Sequence, residues 1–438
     1  MECSPGEPVL SLPLTMLDES LLILQEARSA WNVQFEVGVD HGLDADRLRR
    51  AVRSCCQRHP MARARLAPAD TGGRPYQWDI PDEVDGDPLQ VAECSDATAL
   101  GALRADLYIP PIALDSSPGF RVGLAQRPDG DLVLLSASHM VADGVGCVRL
   151  MQTIARAYRG EPDPPDPLPL AQARDVGSFL APQSRSEKWA RELKLLRRFH
   201  EALEPPSRIA TVGGADHDGF GFVFRAFDIG DKTPGLVQRP PGTTINDALV
   251  AALHRTVQSW NAQYGIASDR IGVMMPLNVR PASRFWDVVS NLTSMISVST
   301  DPDDRADLGS ATAAVARQTY ETRRNDQAFG LHDLLATVQN APVTVKRAVP
   351  RLLQLTGDRF VDTAMLSNLG RLPQPPSFSD SEPKELWFSP PCDPACSVSV
   401  GVVTCEQRLS LAARYRYEQF DADAAEEFID LLVSQLGP

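Results

Sequence analysis

Leu132-Val133-Leu134-Leu135-Ser136-Ala137-Ser138-His139-Met140-Val141-Ala142-Asp143-Gly144 is the stretch from which the rest of this chain can be read. The aliphatic run Leu132–Leu135, entered through the turn Pro128-Asp129-Gly130, predicts a strand. Cys147, Met151, Ile154 and Tyr158 then fall on one face at helical spacing and predict a helix. Between them a tight turn carries one histidine and, four residues later, an aspartate. Gly144 and Gly146 stand where the helix begins. A missing Cβ there lets the backbone turn sharply or lets a ligand come close.

A neutral imidazole titrates near working pH and can take a proton from an alcohol or an amine. The end of a buried strand holds such a base rigidly. On spacing alone, a core histidine beside a solvated aspartate is the commoner arrangement, so the surrounding chain has to decide.

His139-Met140-Val141-Ala142-Asp143-Gly144 resembles the HxxxDG core of the HHxxxDG motif. That motif belongs to the CoA-dependent acyltransferase superfamily, which includes peptide-synthetase condensation domains, polyketide-associated acyltransferases, bacterial wax ester synthases and chloramphenicol acetyltransferase. Ser138 stands in place of the first histidine of the doublet. Other stretches resemble family landmarks in the family's order. Leu43-Asp44-Ala45-Asp46-Arg47-Leu48, with Arg58-His59-Pro60-Met61-Ala62-Arg63-Ala64-Arg65, is similar to the opening of condensation-type enzymes. Thr244-Ile245-Asn246-Asp247 is similar to a helix start in wax ester synthases. Pro276-Leu277-Asn278-Val279-Arg280 resembles the strand end whose arginine pairs with the motif aspartate. Ser290-Asn291-Leu292-Thr293-Ser294 and Ser367-Asn368-Leu369-Gly370 resemble the two later elements. The plant-type DFGWG element is absent.

Composition sets the bounds. A chain of 438 residues exceeds one ordinary core, so two domains are expected, 1–175 and 176–438. With 43% hydrophobic and 23% charged residues it reads as a soluble globular protein. A net charge of −14 argues against a nucleic-acid partner and against anionic membrane surfaces. No apolar run is long enough to span a bilayer, and Met1–Pro8 has no signal-peptide character. Eight cysteines without a metal-ligand pattern suggest a reducing compartment, and a cytoplasmic location is expected. Cys392 and Cys396 read as loop thiols, and Cys55 and Cys56 as half-buried thiols on a helix.

Taken in order, the chain predicts a helix from about Met16 to Glu26 and a half-buried strand from Trp31 to Val39. A helix capped by Asp44 follows and stops at Pro60, with His59 a cationic cap on its dipole. Met61–Leu66 reads as the next strand. Glu161–Pro169, rich in proline and acid, reads as the inter-domain linker. Beyond it the pattern gives helices near 185–204, 243–260, 308–323, 331–340 and 421–435. Strands are expected at 220–229, at 271–277, from 290 and up to 370, and a terminal hairpin over 396–415.

The resemblance implies an α/β fold of two chloramphenicol-acetyltransferase-like domains with mixed sheets and helices. An active-site channel would run between them, with the thioester donor entering at one face and the acceptor at the other. It implies that His139 is the catalytic base and that Asp143, Gly144 and Arg280 are structural at the site. Ser138, Asn291 and Ser294 are candidate substrate or oxyanion contacts, with the backbone N–H groups near Gly144. No metal and no bound cofactor are expected. The co-substrate would be an acyl-CoA or a phosphopantetheinyl thioester, supplied in trans because Leu114-Asp115-Ser116-Ser117 lacks the glycine of a carrier signature. The implied activity is acyl transfer to a hydroxyl or amine by a monomer, in natural-product or lipid metabolism. A non-catalytic module docking carrier proteins, or a cyclisation catalyst on the same fold, are the other readings. If free CoA is the donor, Arg and Lys are expected to gather at one channel mouth, since −14 would otherwise repel its phosphates.

Overall fold

The run Leu132–Leu135 becomes part of β7 (Leu132–Ser138), whose seven residues are all buried. The computed structural model describes residues 10–27, 31–68, 76–165, 168–182, 184–201, 204–230, 233–281, 283–324, 346, 359, 361–392 and 396–437. The expected helix at 331–340 lies outside them.

β7 sits inside a five-stranded mixed sheet. It is antiparallel to β2 (Asn32–Gly38) on one side and to β6 (Phe120–Gln126) on the other. β5 (Leu89–Glu93) runs parallel to β6 at one edge, and β12 (Glu385–Ser389) pairs antiparallel with β2 at the other. A second, six-stranded sheet runs β10 (Thr293–Thr300), β9 (Ile271–Asn278), β11 (Ala364–Arg371), β13 (Val398–Cys405), β14 (Arg408–Arg416), β8 (Phe220–Asp228). There β11 is parallel to both neighbours. A small sheet of β1 (Leu10–Pro13), β4 (Gln77–Ile80) and β3 (Arg65–Leu66) flanks the first lobe. This is the expected mixed α/β architecture in two lobes. β12 is an addition that the pattern did not disclose: it lies far beyond residue 175 yet completes the first lobe's sheet.

One face of the first sheet carries α2 (Ala45–Arg58) and α4 (Gly144–Arg159). Val33, Phe35 and Val37 of β2 and Leu135 and Ala137 of β7 pack there with Val52, Cys55, Met151 and Ile154. Asp44 caps α2 by accepting the Arg47 N–H at 2.8 Å, as its sequence implies. α4 ends at Gly160, whose φ of +80° is the left-handed cap that glycine adopts without a Cβ penalty. The opposite face meets α3 (Ala97–Tyr108) and the second lobe's Phe220. In the second lobe the helix Ile245–Gln263 starts at Thr244 with a full capping box to Asp247 and buries Leu249, Leu253, Val257 and Trp260. Helix Ala422–Ser434 packs against it. Among the described residues no helix is long and apolar enough to cross a membrane.

Four local expectations change. β2 is buried on both faces, although its sequence alternates. The intervening polar residues face partners rather than water: Glu36 accepts Arg104 Nη2 at 2.6 Å and Tyr108 Oη at 2.9 Å, and Gln34 Oε1 accepts Arg414 Nη1 at 3.3 Å. Met61 is not in a strand, because Pro60 opens a 3₁₀ turn over Pro60–Arg63 and only Arg65–Leu66 extends. His59 does end α2, but not as a cation. Burial lowers its pKa to about 3, and the neutral ring bonds Thr153 Oγ1 at 2.9 Å. Cys55 and Cys56 are both fully buried rather than half-buried. The proline-rich stretch after α4 is held at Asp163, which pairs with Arg149 at 2.5 Å and Arg156 at 3.2 Å.

Candidate active site

β7 delivers His139 through a turn that hydrogen bonds fix at each step. The His139 N–H donates to Trp31 O at 2.8 Å, and the N–H groups of Val141 and Ala142 return to Ser138 O at 2.9 and 3.0 Å. Asp143 then caps α4: its Oδ1 accepts Gly146 N–H and its carbonyl accepts Cys147 N–H, both at 2.8 Å. The N–H groups of Gly144 and Val145, the first of the helix, have no acceptor among the described residues.

The His139 ring enters a cavity of about 110 Å³ between the lobes. Its Nδ1 is buried without a partner, so Nε2 is the nitrogen that meets the cavity. Burial lowers its pKa below 6.5, and the opposing pull of the Asp143 charge does not reverse this. The imidazole is therefore neutral at pH 7 and able to accept a proton.

Asp143 does not bond His139. Arg280 of the second lobe donates Nη1 to Oδ2 at 2.7 Å and Nη2 to Oδ1 at 2.9 Å, a bidentate pair. Leu292 N–H at 2.9 Å and Thr293 Oγ1 at 3.0 Å complete the carboxylate. The two side chains are 0% and 1% exposed. Burial pushes the Asp143 carboxyl up, and Arg280 with these N–H donors more than reverses it, leaving a net lowered pKa. The aspartate thus ties the start of α4 to the end of β9 and the start of β10.

The first lobe lines the cavity with Ser20, Leu21, Trp31, Val33, Gly144 and Val145. Facing them are Asn278, Thr293, Met295, Met365, Ser367 and Leu369. Phe388, Pro390 and Pro391 close it. No charged side chain is among its described lining residues, so no cationic cluster gathers here.

Ser138, Asn291 and Ser294 are not among the lining residues. Their side-chain polar atoms are buried without partners elsewhere. For Ser294 the reason is strand alternation: Thr293 and Met295 face the cavity, so Ser294 faces away. Asn278, Thr293 and Ser367 are polar groups at the cavity that the motif reading passed over. The period-two pattern of β10, anchored at the Thr293–Asp143 bond, is the signal that could have exposed the exchange.

Gly144 sets the cavity's width. A Cβ there would lie 2.8 Å from Leu369 Cδ2 and 3.1 Å from Phe388 Cε2. Overpacking of this kind costs about 1–3 kcal/mol. Gly144→Val is expected to lower kcat/KM of a reaction run at His139 by about ten- to a hundredfold with the protein still soluble. Steady-state kinetics check it, and an unchanged kcat/KM would take this cavity off the substrate path.

Comparison with known proteins agrees with the geometry. The condensation-domain family matches residues 13–346. An uncharacterised protein of Mycobacterium tuberculosis is 34% identical over 384 residues, covering 87% of this chain and 88% of that one. The cyclization-docking bidomain of the peptide synthetase EpoB from Sorangium cellulosum superposes with a TM-score of 0.68 at 18% identity, covering 99% of this chain and 87% of that one. The first condensation domain of the calcium-dependent antibiotic synthetase, in complex with a substrate analogue, gives a TM-score of 0.70 at 13% identity, covering 98% and 96%. By the extent of these matches, the chain belongs to the condensation-domain family, within the CoA-dependent acyltransferase superfamily.

Proposed function

We propose that this protein transfers an apolar acyl group from a thioester to a hydroxyl or amine, with His139 as the general base. The observation that carries the reading is a neutral, partner-free imidazole facing an uncharged cavity between the lobes. In the proposed step, Nε2 takes the proton of the acceptor as its oxygen or nitrogen attacks the thioester carbonyl. The tetrahedral oxyanion collapses, the C–S bond breaks, and the thiolate leaves with the proton from His139. General-base help of this kind is worth about 10²–10⁴ in rate. The N–H groups of Gly144 and Val145 are the proposed oxyanion donors, aided by the positive end of α4. Asp143 and Arg280 position the turn and take no part in the chemistry.

The lining favours an aliphatic acyl group. Leu21, Val33, Met295, Met365, Leu369 and Phe388 offer apolar contact, and among the described lining residues there is no carboxylate to receive an α-ammonium. As proposed, the donor arrives in trans on CoA or a carrier protein, and no bound cofactor takes part.

The test is incubation with acyl-CoA and acyl-carrier thioesters of graded chain length, with alcohol and amine pools. Thiol release and product mass are read together. Thiol release matched by an ester or amide is expected, faster for aliphatic than for aminoacyl donors. Release with only the free acid, a dehydrated ring as product, or no release from any donor would each overturn the reading.

A further inference from the structure

A second cavity, of about 550 Å³, lies between α2 and the C-terminal half of α4. Gly144 borders the His139 cavity and Tyr158 borders this one, about 21 Å apart along the same helix at about 1.5 Å per residue. Small side chains, Ala51 and Ala157, leave the space open.

Its rim is cationic in a chain whose net charge is −14. Arg47, Arg50 and Arg58 project from α2 at near-helical spacing and line it, with the Ser54 hydroxyl among them. The carboxylates present are already engaged. Asp163 is shared by Arg58, Arg149 and Arg156 at 3.3, 2.5 and 3.2 Å, and Arg149 also reaches Asp287 at 3.3 Å. Glu161 is held by Arg159 at 2.5 Å. Asp44 caps α2, and Asp46 pairs with Arg49 at 2.9 Å. Arg47 and Arg50 form no ion pair among the described residues, and Arg47 lies over the Tyr158 ring at 4.8 Å.

Guanidiniums present planar forks that fit phosphate oxygens, and a recess focuses their field. Arg47 and Arg50, unmatched by carboxylates among the described residues, at a recess of this volume suit a polyanion with more than one phosphate oxygen set. We propose that this pocket binds a small phosphorylated ligand, gripped by Arg47 and Arg50 with Ser54 as a hydroxyl donor and Arg58 as the cation behind. The site is separate from the acyl-transfer cavity and does not depend on that reading.

Inorganic pyrophosphate is the probe, titrated calorimetrically into the full chain at low ionic strength, with sulfate in parallel. Saturable one-site binding is expected, tighter for pyrophosphate than for sulfate by about tenfold or more. Arg47 and Arg50 are exposed, so the double variant Arg47→Glu/Arg50→Glu is expected to fold, with its ligand-free melting temperature kept. Its pyrophosphate affinity should fall by about tenfold or more. Arg50→Gln alone, which removes one charge without reversing it, should show a smaller loss in the same direction. No saturable binding, equal affinity for sulfate, or unchanged affinity in both variants would overturn the proposal.

Discussion

His139→Ala is expected to lower turnover by about a hundredfold or more while the protein stays folded. The ring makes no side-chain hydrogen bond among the described residues, so its removal strands no partner. The backbone N–H that anchors the turn to Trp31 O is kept in alanine. What is lost is the proton acceptor, worth about 10²–10⁴. The wild-type pH profile gives a second reading. The folded pKa of His139 lies below 6.5, so the base is in its active form at pH 7 and loses it as pH falls through that lower value. The rate should be level through neutral pH and decline only as pH falls through that lowered value. The sign for stability runs the same way. Below 6.5 the unfolded chain binds a proton that the folded chain resists, so the native state weakens as pH falls. The alanine variant should lack that component. Turnover within a fewfold of wild type, or an acid limb unchanged in the variant's residual activity, would remove His139 from the mechanism.

Asp143→Ala and Arg280→Ala are each expected to destabilise strongly, by about 3–5 kcal/mol, because each strands a buried charge. The pair is bidentate at 2.7 and 2.9 Å with both side chains out of water. Asp143 also satisfies Gly146 N–H, Leu292 N–H and Thr293 Oγ1, so its removal opens donors in both lobes. Arg280 further donates Nε to Phe285 O at 3.0 Å, which its own removal forfeits. The double variant should lose less than the sum of the singles, since no unpaired charge remains. Asp143 has a depressed pKa, so its stabilisation is present above the ordinary carboxylate range and fades as pH drops through the lowered folded value. Asp143→Asn should fail to restore stability, because an amide nitrogen would face donors. Denaturant melts of the four proteins measure the cycle. Small, additive losses would show that the pair contributes no more than an exposed one, about 0–1 kcal/mol.

The strand, the turn and the helix around His139 were legible because each has a local cause: an aliphatic run, glycines where the helix begins, and apolar residues at helical spacing; the Asp143 cap on α4 emerged only from the structure. The Asp143–Arg280 contact was legible only through motif order, since nothing local links positions 137 residues apart. Which polar groups reach the cavity was not legible. Ser294 and Thr293 are neighbours of similar chemistry, and only the pairing of β10 with β9 decides which one faces inward. The burial of Glu36 and Gln34 was hidden for a like reason. Their partners Arg104, Tyr108 and Arg414 come from distant segments, so an alternating strand read as half-exposed. His59 shows a third kind of failure: its position at a helix end suggested a charge, and burial removed it.

The strand β12 bears on how the polypeptide is made. Phe388 pairs with Phe35 and Leu386 with Val37, so β2 has its outer neighbour only once residues 385–389 exist. On a ribosome the first lobe's other strands are synthesised well before this one and must wait, with the β2 edge open, until the segment Glu385–Ser389 has been made. An unpaired edge of this kind is a template for wrong partners. Splitting the gene after the first lobe should therefore yield an insoluble fragment. Supplying the segment around Glu385–Ser389 in trans, or fusing it behind the fragment through a flexible tether, should recover soluble protein.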